Sequence, residues 1–152
     1  RVVSSEDLRW RRCNIKSTAL LGNVLHFQES YALDKDETIM YNACGELTEA
    51  SHSNVFIVMD GVVATPLLDH QLLPGISRHM AIESMRADGK IEVQERVVTM
   101  DEVRTADEVW ITNSNKHIAP VVELDGQPVG DGLVGPVWEK AMILYEAAKY
   151  DF

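Results

Sequence analysis

The chain has 152 residues, 45% of them hydrophobic, which is enough to bury one sizeable core and is the usual size of a single domain. Its formal net charge of -10 argues against nucleic acid as a partner, because phosphate backbones attract clustered Lys and Arg. No apolar run approaches the roughly 20 residues of a membrane span and no signal-peptide pattern opens the chain, so a cytoplasmic protein with no membrane partner is expected.

The opening Arg1-Val2-Val3-Ser4-Ser5-Glu6-Asp7 lacks a starting Met and reads as the continuation of an earlier segment, so a fragment or a processed chain is expected. Residues 9–15 suit a short strand, and 17–32 show helical apolar spacing at Leu20, Leu21, Val24, Leu25 and Phe27. Lys16 then stands where a strand hands over to a helix. Residues 37–43 read as a strand and 45–53 as a small polar loop carrying Thr48, Glu49 and His52. Strands over 54–59 and 62–65 flank Asp60-Gly61, a two-residue hairpin signal.

Pro74-Gly75 precedes a predicted helix over 76–87, with Ile76, Met80 and 82–85 on its buried face and Gly89 as its stop. A strand over 91–98, a short helix over 100–105 and a strand over 109–112 follow. That last strand ends in the polar run Asn113-Ser114-Asn115. Asp125-Gly126 marks a second hairpin, between 121–124 and 127–129, and Gly135-Pro136 opens a final amphipathic helix. The order is mixed α/β in one unit, residues 1–152, without repeats or a linker. Cys13 and Cys44 form neither a CxxC pair nor part of a metal-ligand cluster, so both read as buried thiols of a reducing compartment and no metal is expected.

Taken singly, the polar residues carry little. A lysine at an element boundary is usually solvated, and a loop carboxylate such as Glu49 is far more often surface than functional. Gly75-Ile76-Ser77 is better founded as an anion site, because a helix N-terminus offers free N–H groups and a positive dipole end, although any helix begins this way. The polar loop at Asn113 and Ser114 also suits phosphate oxygens, or it simply ends a strand.

The joint order of the motifs is more specific. Arg9-Trp10-Arg11-Arg12-Cys13-Asn14-Ile15-Lys16-Ser17 with Leu21-Gly22-Asn23-Val24-Leu25 resembles the lysine segment of D-amino-acid aminotransferases, members of the fold-type-IV (class IV) enzymes that use pyridoxal 5′-phosphate. Thr48-Glu49-Ala50-Ser51-His52-Ser53-Asn54-Val55-Phe56 resembles the Thr-Glu signature of that family, Leu73-Pro74-Gly75-Ile76-Ser77-Arg78 its phosphate segment, and 111–121 its second phosphate loop.

The resemblance implies the family's large pseudo-barrel domain, with its small N-terminal domain absent from this chain. It implies that Lys16 forms the Schiff base with the cofactor and acts as acid and base, and that Glu49 pairs with the pyridine nitrogen. Leu73 would lie against the cofactor ring, with Ile76, Ser77, Asn113 and Ser114 around its phosphate. Asn113 and His52 depart from the family pattern, which places small hydroxyl residues there. Also implied are a homodimer and transamination between an amino acid, D-alanine or another D-amino acid first, and a 2-oxo acid. Aminodeoxychorismate lyase, a branched-chain aminotransferase and an inactive fragment remain alternatives, since one fold hosts several reactions.

Overall fold

The computed structural model describes residues 1–151. Two five-stranded mixed sheets lie face to face, with helices on their outer sides. The first sheet has the order β10-β9-β1-β2-β3, from Gln127–Pro128, Glu123–Leu124, Val2–Glu6, Glu37–Tyr41 and Leu47–Ala50. The second has the order β6-β5-β4-β7-β8, from Val93–Glu95, Val62–Thr65, Asn54–Met59, Glu108–Asn113 and His117–Val121. The mixed α/β expectation holds.

Strands β4 and β7 form the centre of the molecule, and each is apolar on both faces. Val55, Ile57, Val109 and Ile111 point into the core between the sheets, where Val2, Ile39, Leu47 and Leu124 meet them. Phe56, Val58 and Trp110 point the other way, against helices α2 (Ile76–Asp88) and α4 (Pro136–Ala148) through Ala81, Ile82, Met85, Ala141 and Tyr145. A strand covered on both sides needs apolar residues at every position, which is why both read as continuous hydrophobic runs.

The local signals are realised. Asp60 and Gly61 turn between β4 and β5 with φ of 51° and 79°, and Asp125 and Gly126 between β9 and β10 with 50° and 76°, left-handed values that these residue types tolerate. Helix α2 stops at Gly89, φ 74°. Helix α3, Met100–Thr105, starts in a capping box between Thr99 and Glu102.

Several expectations are corrected. Residues 9–15 form no strand: β1 occupies Val2–Glu6, ends where its partner β2 ends at Tyr41, and leaves the following segment without a ladder to join. Helix α1 spans Leu21–Ala32 and does not begin at Ser17. The Ser17 hydroxyl accepts from Ala19 N and Leu20 N donates to Thr18 O, local bonds that compete with helix formation. Its buried side chains are His26 and Ser30, whereas Leu21, Val24 and Leu25 are exposed. In α2, Ile76 is likewise exposed, and Ser77 and Arg78 are buried.

The expected loop at 45–53 contains strand β3, buried throughout, and β6 is shorter than the predicted 91–98. Strand β8, His117–Val121, lies within the stretch 111–121 that resembles a phosphate loop and ends where the strand over 121–124 was expected to begin. Cys13 is buried but Cys44 is exposed, because it sits on a turn where its N–H donates to Asn42 Oδ1. Among the described residues no helix is long and apolar enough to cross a membrane.

Candidate active site

Glu49 organises the site. It lies on β3 with a side chain only 7% exposed, and it accepts from Arg9 Nη1 at 2.6 Å, Leu73 N at 3.1 Å and Asn54 Nδ2 at 3.4 Å. Arg9 is shared: its Nη2 and Nε also donate to Asp7 at 2.8 and 3.0 Å, and Nη2 reaches Gln71 O at 3.1 Å. Thr48 donates to Asp7 from the side. Burial pushes the Glu49 carboxyl up to about 7, and the single arm of Arg9 only partly opposes it. Asp7 is raised by burial too, but the hydrogen bonds and charge of Arg9 outweigh this and hold it below the usual carboxylate range. Arg9 itself loses by burial and gains more from Asp7 and Glu49, so it stays charged.

Asn54, at the head of β4, ties three elements together. Its Nδ2 donates to Leu73 O at 2.8 Å as well as to Glu49, and its Oδ1 lies where a Cβ on Gly75 would stand. Only glycine brings the start of α2 this close to β4. That helix begins at Gly75 without a side-chain cap, so the backbone donors of its first turn have no side-chain acceptor, and Ser77 there is 6% exposed.

On the other side, Asn113 ends β7. Its Oδ1 accepts from the N–H groups of Asn115 and Lys116, closing the turn into β8, and its Nδ2 donates to Ser53 Oγ at 2.9 Å. Ser114 is exposed on that turn, and the buried Thr112 Oγ1 just before it has no hydrogen-bond partner. Ser53 and Ser51 both donate to Glu37, a fully buried carboxylate that also accepts from Thr38 N.

Glu49, Leu73 and the start of α2 are thus brought together, and Asn113 is linked to the same loop through Ser53. Lys16 is hydrogen-bonded to none of them. It is exposed on the irregular segment between β1 and α1 and makes no hydrogen bond or ion pair among the described residues. That segment is anchored at Leu8 N, which donates to His26 Nε2 at 3.2 Å, and at Cys13 N, which donates to His70 O at 2.8 Å. Sequence reading missed Asp7, Arg9, Glu37 and Asn54 as members of the cluster. The short spacing of Asp7 and Arg9 was a weak signal, and their partners lie about 40 residues away.

The residues fit pyridoxal 5′-phosphate. An uncapped helix start, a serine hydroxyl at Ser114 and the partnerless Thr112 oxygen suit a phosphate, and a buried carboxylate suits a ring nitrogen.

Comparison with known proteins agrees. The family model described as amino-transferase class IV matches residues 1–124. A D-alanine aminotransferase of Staphylococcus aureus is 41% identical over 136 residues, covering 89% of this chain and 47% of that protein. One of Listeria monocytogenes is 39% identical over 139 residues, 91% of this chain and 47% of its own length. This chain therefore spans about half the length of the curated relatives it matches. Among solved structures, the T.th. branched-chain amino acid aminotransferase complexed with N-(5′-phosphopyridoxyl)-L-glutamate superimposes with a TM-score of 0.85 at 31% identity, covering 97% of this chain and 50% of that one. A Legionella pneumophila protein assigned as 4-amino-4-deoxychorismate lyase gives 0.83 at 26% identity, covering 97% and 55%.

Proposed function

Because the chain belongs to the class IV aminotransferase family, we propose that it is the cofactor-bearing part of an enzyme that transfers an amino group from an amino acid to a 2-oxo acid, with pyridoxal 5′-phosphate as cofactor. Lys16 would anchor the cofactor covalently and then exchange a proton at the substrate Cα, a task its solvent-reaching position on a loop allows. Glu49 would face the pyridine nitrogen, Leu73 the ring, and Ile76, Ser77, Asn113 and Ser114 the phosphate. The cofactor supplies the electron sink for charge developing at Cα.

The observation that carries this reading is Glu49. A buried carboxyl pushed up to about 7 can share a proton with a ring nitrogen, and Arg9 and Asn54 fix the direction in which it points. A D-amino acid is the preferred donor, supported by identity near 40% to D-alanine aminotransferases. The homodimer and a further segment completing the substrate side belong to the same proposal.

The test is borohydride reduction of the protein incubated with pyridoxal 5′-phosphate, followed by peptide mass mapping. A reduced pyridoxyl group on Lys16, lost in Lys16→Ala, is expected. Absence of any adduct, here and on a chain extended to the length of the relatives, would overturn the reading. Pyruvate release from aminodeoxychorismate without a 2-oxo acid would favour the lyase reaction.

A further inference from the structure

Leu8 carries the first backbone donor beyond the sheet. Asp7 N still donates to Tyr41 O at 2.7 Å, in line with the pairing of β1 and β2, but at Leu8 the chain leaves that neighbour. A side chain of α1 takes the bond instead: His26 Nε2 accepts from Leu8 N at 3.2 Å, and His26 is only 4% exposed. From Leu8 the chain runs out through Lys16 and returns at Leu20 and Leu21 to enter the same helix. Helix α1 therefore holds both ends of the segment that carries Lys16.

The helix face that does this has small and polar residues at four-residue spacing. Gly22, one turn before His26, lies so close to the segment that a Cβ there would stand 3.0 Å from Arg9 Cγ. The carbonyl of His26 accepts from Thr38 Oγ1 at 2.6 Å, which fastens the same turn to β2. Because Nε2 accepts, the neutral ring carries its proton on Nδ1, which faces Glu29 Oε1 at 3.4 Å without forming a hydrogen bond. The ring keeps this orientation although Nδ1 is left unpaired, so the Leu8 contact is what fixes it. Arg9 N donates within the segment, to Asp7 Oδ1, and the Arg9 side chain holds Glu49. Leu8 N is thus the backbone tie from the start of the segment to α1.

From this arrangement we infer that His26 is a positioning residue for the reaction of Lys16: by accepting from Leu8 N it closes the loop that carries the lysine and holds that loop beside the Arg9 and Glu49 pair. This deepens, and rests on, the transaminase reading above. The Leu8 side chain is 78% exposed, so an amide released by His26 can turn to water and take the backbone with it. The lysine then samples more positions, and fewer of them suit attack on a cofactor aldehyde held by Glu49 and the start of α2.

The experiment compares wild type, His26→Phe and His26→Gln. Phenylalanine keeps a buried ring without an acceptor, whereas the glutamine Oε1 reaches about as far as Nε2 and can accept from Leu8. Three readouts are taken: the ¹⁵N shifts of His26, the hydrogen exchange of the Leu8 amide without cofactor, and the rate at which Lys16 forms a borohydride-trapped adduct with pyridoxal 5′-phosphate. Expected are a His26 ring protonated on Nδ1 and a protected Leu8 amide in wild type. In His26→Phe the amide should exchange about fivefold faster and the adduct form about fivefold more slowly, the worth of one ordinary hydrogen bond, and His26→Gln should restore both. A wild-type ring protonated on Nε2, an unprotected Leu8 amide, an adduct rate in His26→Phe equal to wild type, or a His26→Gln protein no better than His26→Phe would overturn the inference. The two proposals fail separately. Equal adduct formation in all three proteins removes the role of His26 alone, whereas no adduct in any of them, or in a chain extended to the length of the relatives, removes the transaminase reading and the positioning role with it.

Discussion

Arg9 and Glu49 meet 2.6 Å apart with side chains 3% and 7% exposed, and Asp7 holds the other arm of the same guanidinium. One cation therefore serves two buried carboxylates unequally. Asp7 takes two bonds and stays ionised, while Glu49 takes one and is left near 7 by burial. This inequality gives a site that holds a proton close to neutral pH.

The Glu49 carboxyl has a folded pKa above its ordinary 4.5, so the folded state binds more protons than the unfolded state between 4.5 and about 7. The stability linked to this group is full below the unfolded value and is lost as pH rises through the folded one. The loss in the cofactor-free protein is on the order of 3 kcal/mol. Urea unfolding at acid and at mildly alkaline pH should show wild type weakening relative to Glu49→Gln by about this amount. Parallel profiles would refute the assignment.

Arg9→Met leaves both Asp7 and Glu49 buried without their cation. A destabilisation of about 3–5 kcal/mol is expected, the usual result of breaking a buried pair from one side. Arg9→Lys should lose less, because it keeps the charge but not the forked geometry. Chemical denaturation of the three proteins measures both, and equal stability of wild type and Arg9→Met would contradict the structure.

Gly75→Ala tests the approach of α2 to β4. Gly75 has an ordinary extended backbone, φ -66°, so the strain is purely steric and falls on Asn54 Oδ1. Relief requires Asn54 to move, which disturbs its bonds to Leu73 O and Glu49. A loss of about 1–3 kcal/mol follows from overpacking, and pyridoxal 5′-phosphate affinity, read by absorbance, should fall with it. Unchanged affinity would remove Asn54 from the site.

Glu108 caps α4. Its carboxylate accepts from Val137 N at 2.9 Å, Trp138 N at 2.8 Å and Trp110 Nε1 at 2.9 Å, and a Cβ on Gly135 would overlap it. Glu108→Ala strands the indole and both helix donors and should cost about 2–4 kcal/mol. Thermal unfolding followed by tryptophan fluorescence checks this. A loss below about 0.5 kcal/mol, the range of ordinary surface changes, would show that the cap contributes nothing.

Much of the molecule was legible from the chain alone. Asp60-Gly61, Asp125-Gly126 and Gly89 announce themselves because left-handed backbone is restricted to few residue types. The apolar stretches of β4 and β7 read as strands, and the order of motifs around Lys16, Glu49, Leu73 and Asn113 pointed to the family. These signals need only local sterics or sequence order.

What the tertiary structure decided concerns polar residues. Thr48 and Glu49 looked like loop residues and lie in a buried strand, since Asp7, Arg9 and Leu73 N satisfy them from elsewhere in the chain. Helix α1 buries His26 and Ser30 in place of its leucines, because His26 Nε2 accepts from Leu8 and His26 O from Thr38. Whether a polar group can be buried depends on the partner it meets. When that partner lies tens of residues away, no local pattern announces it, and only the folded chain determines which side chains form the site.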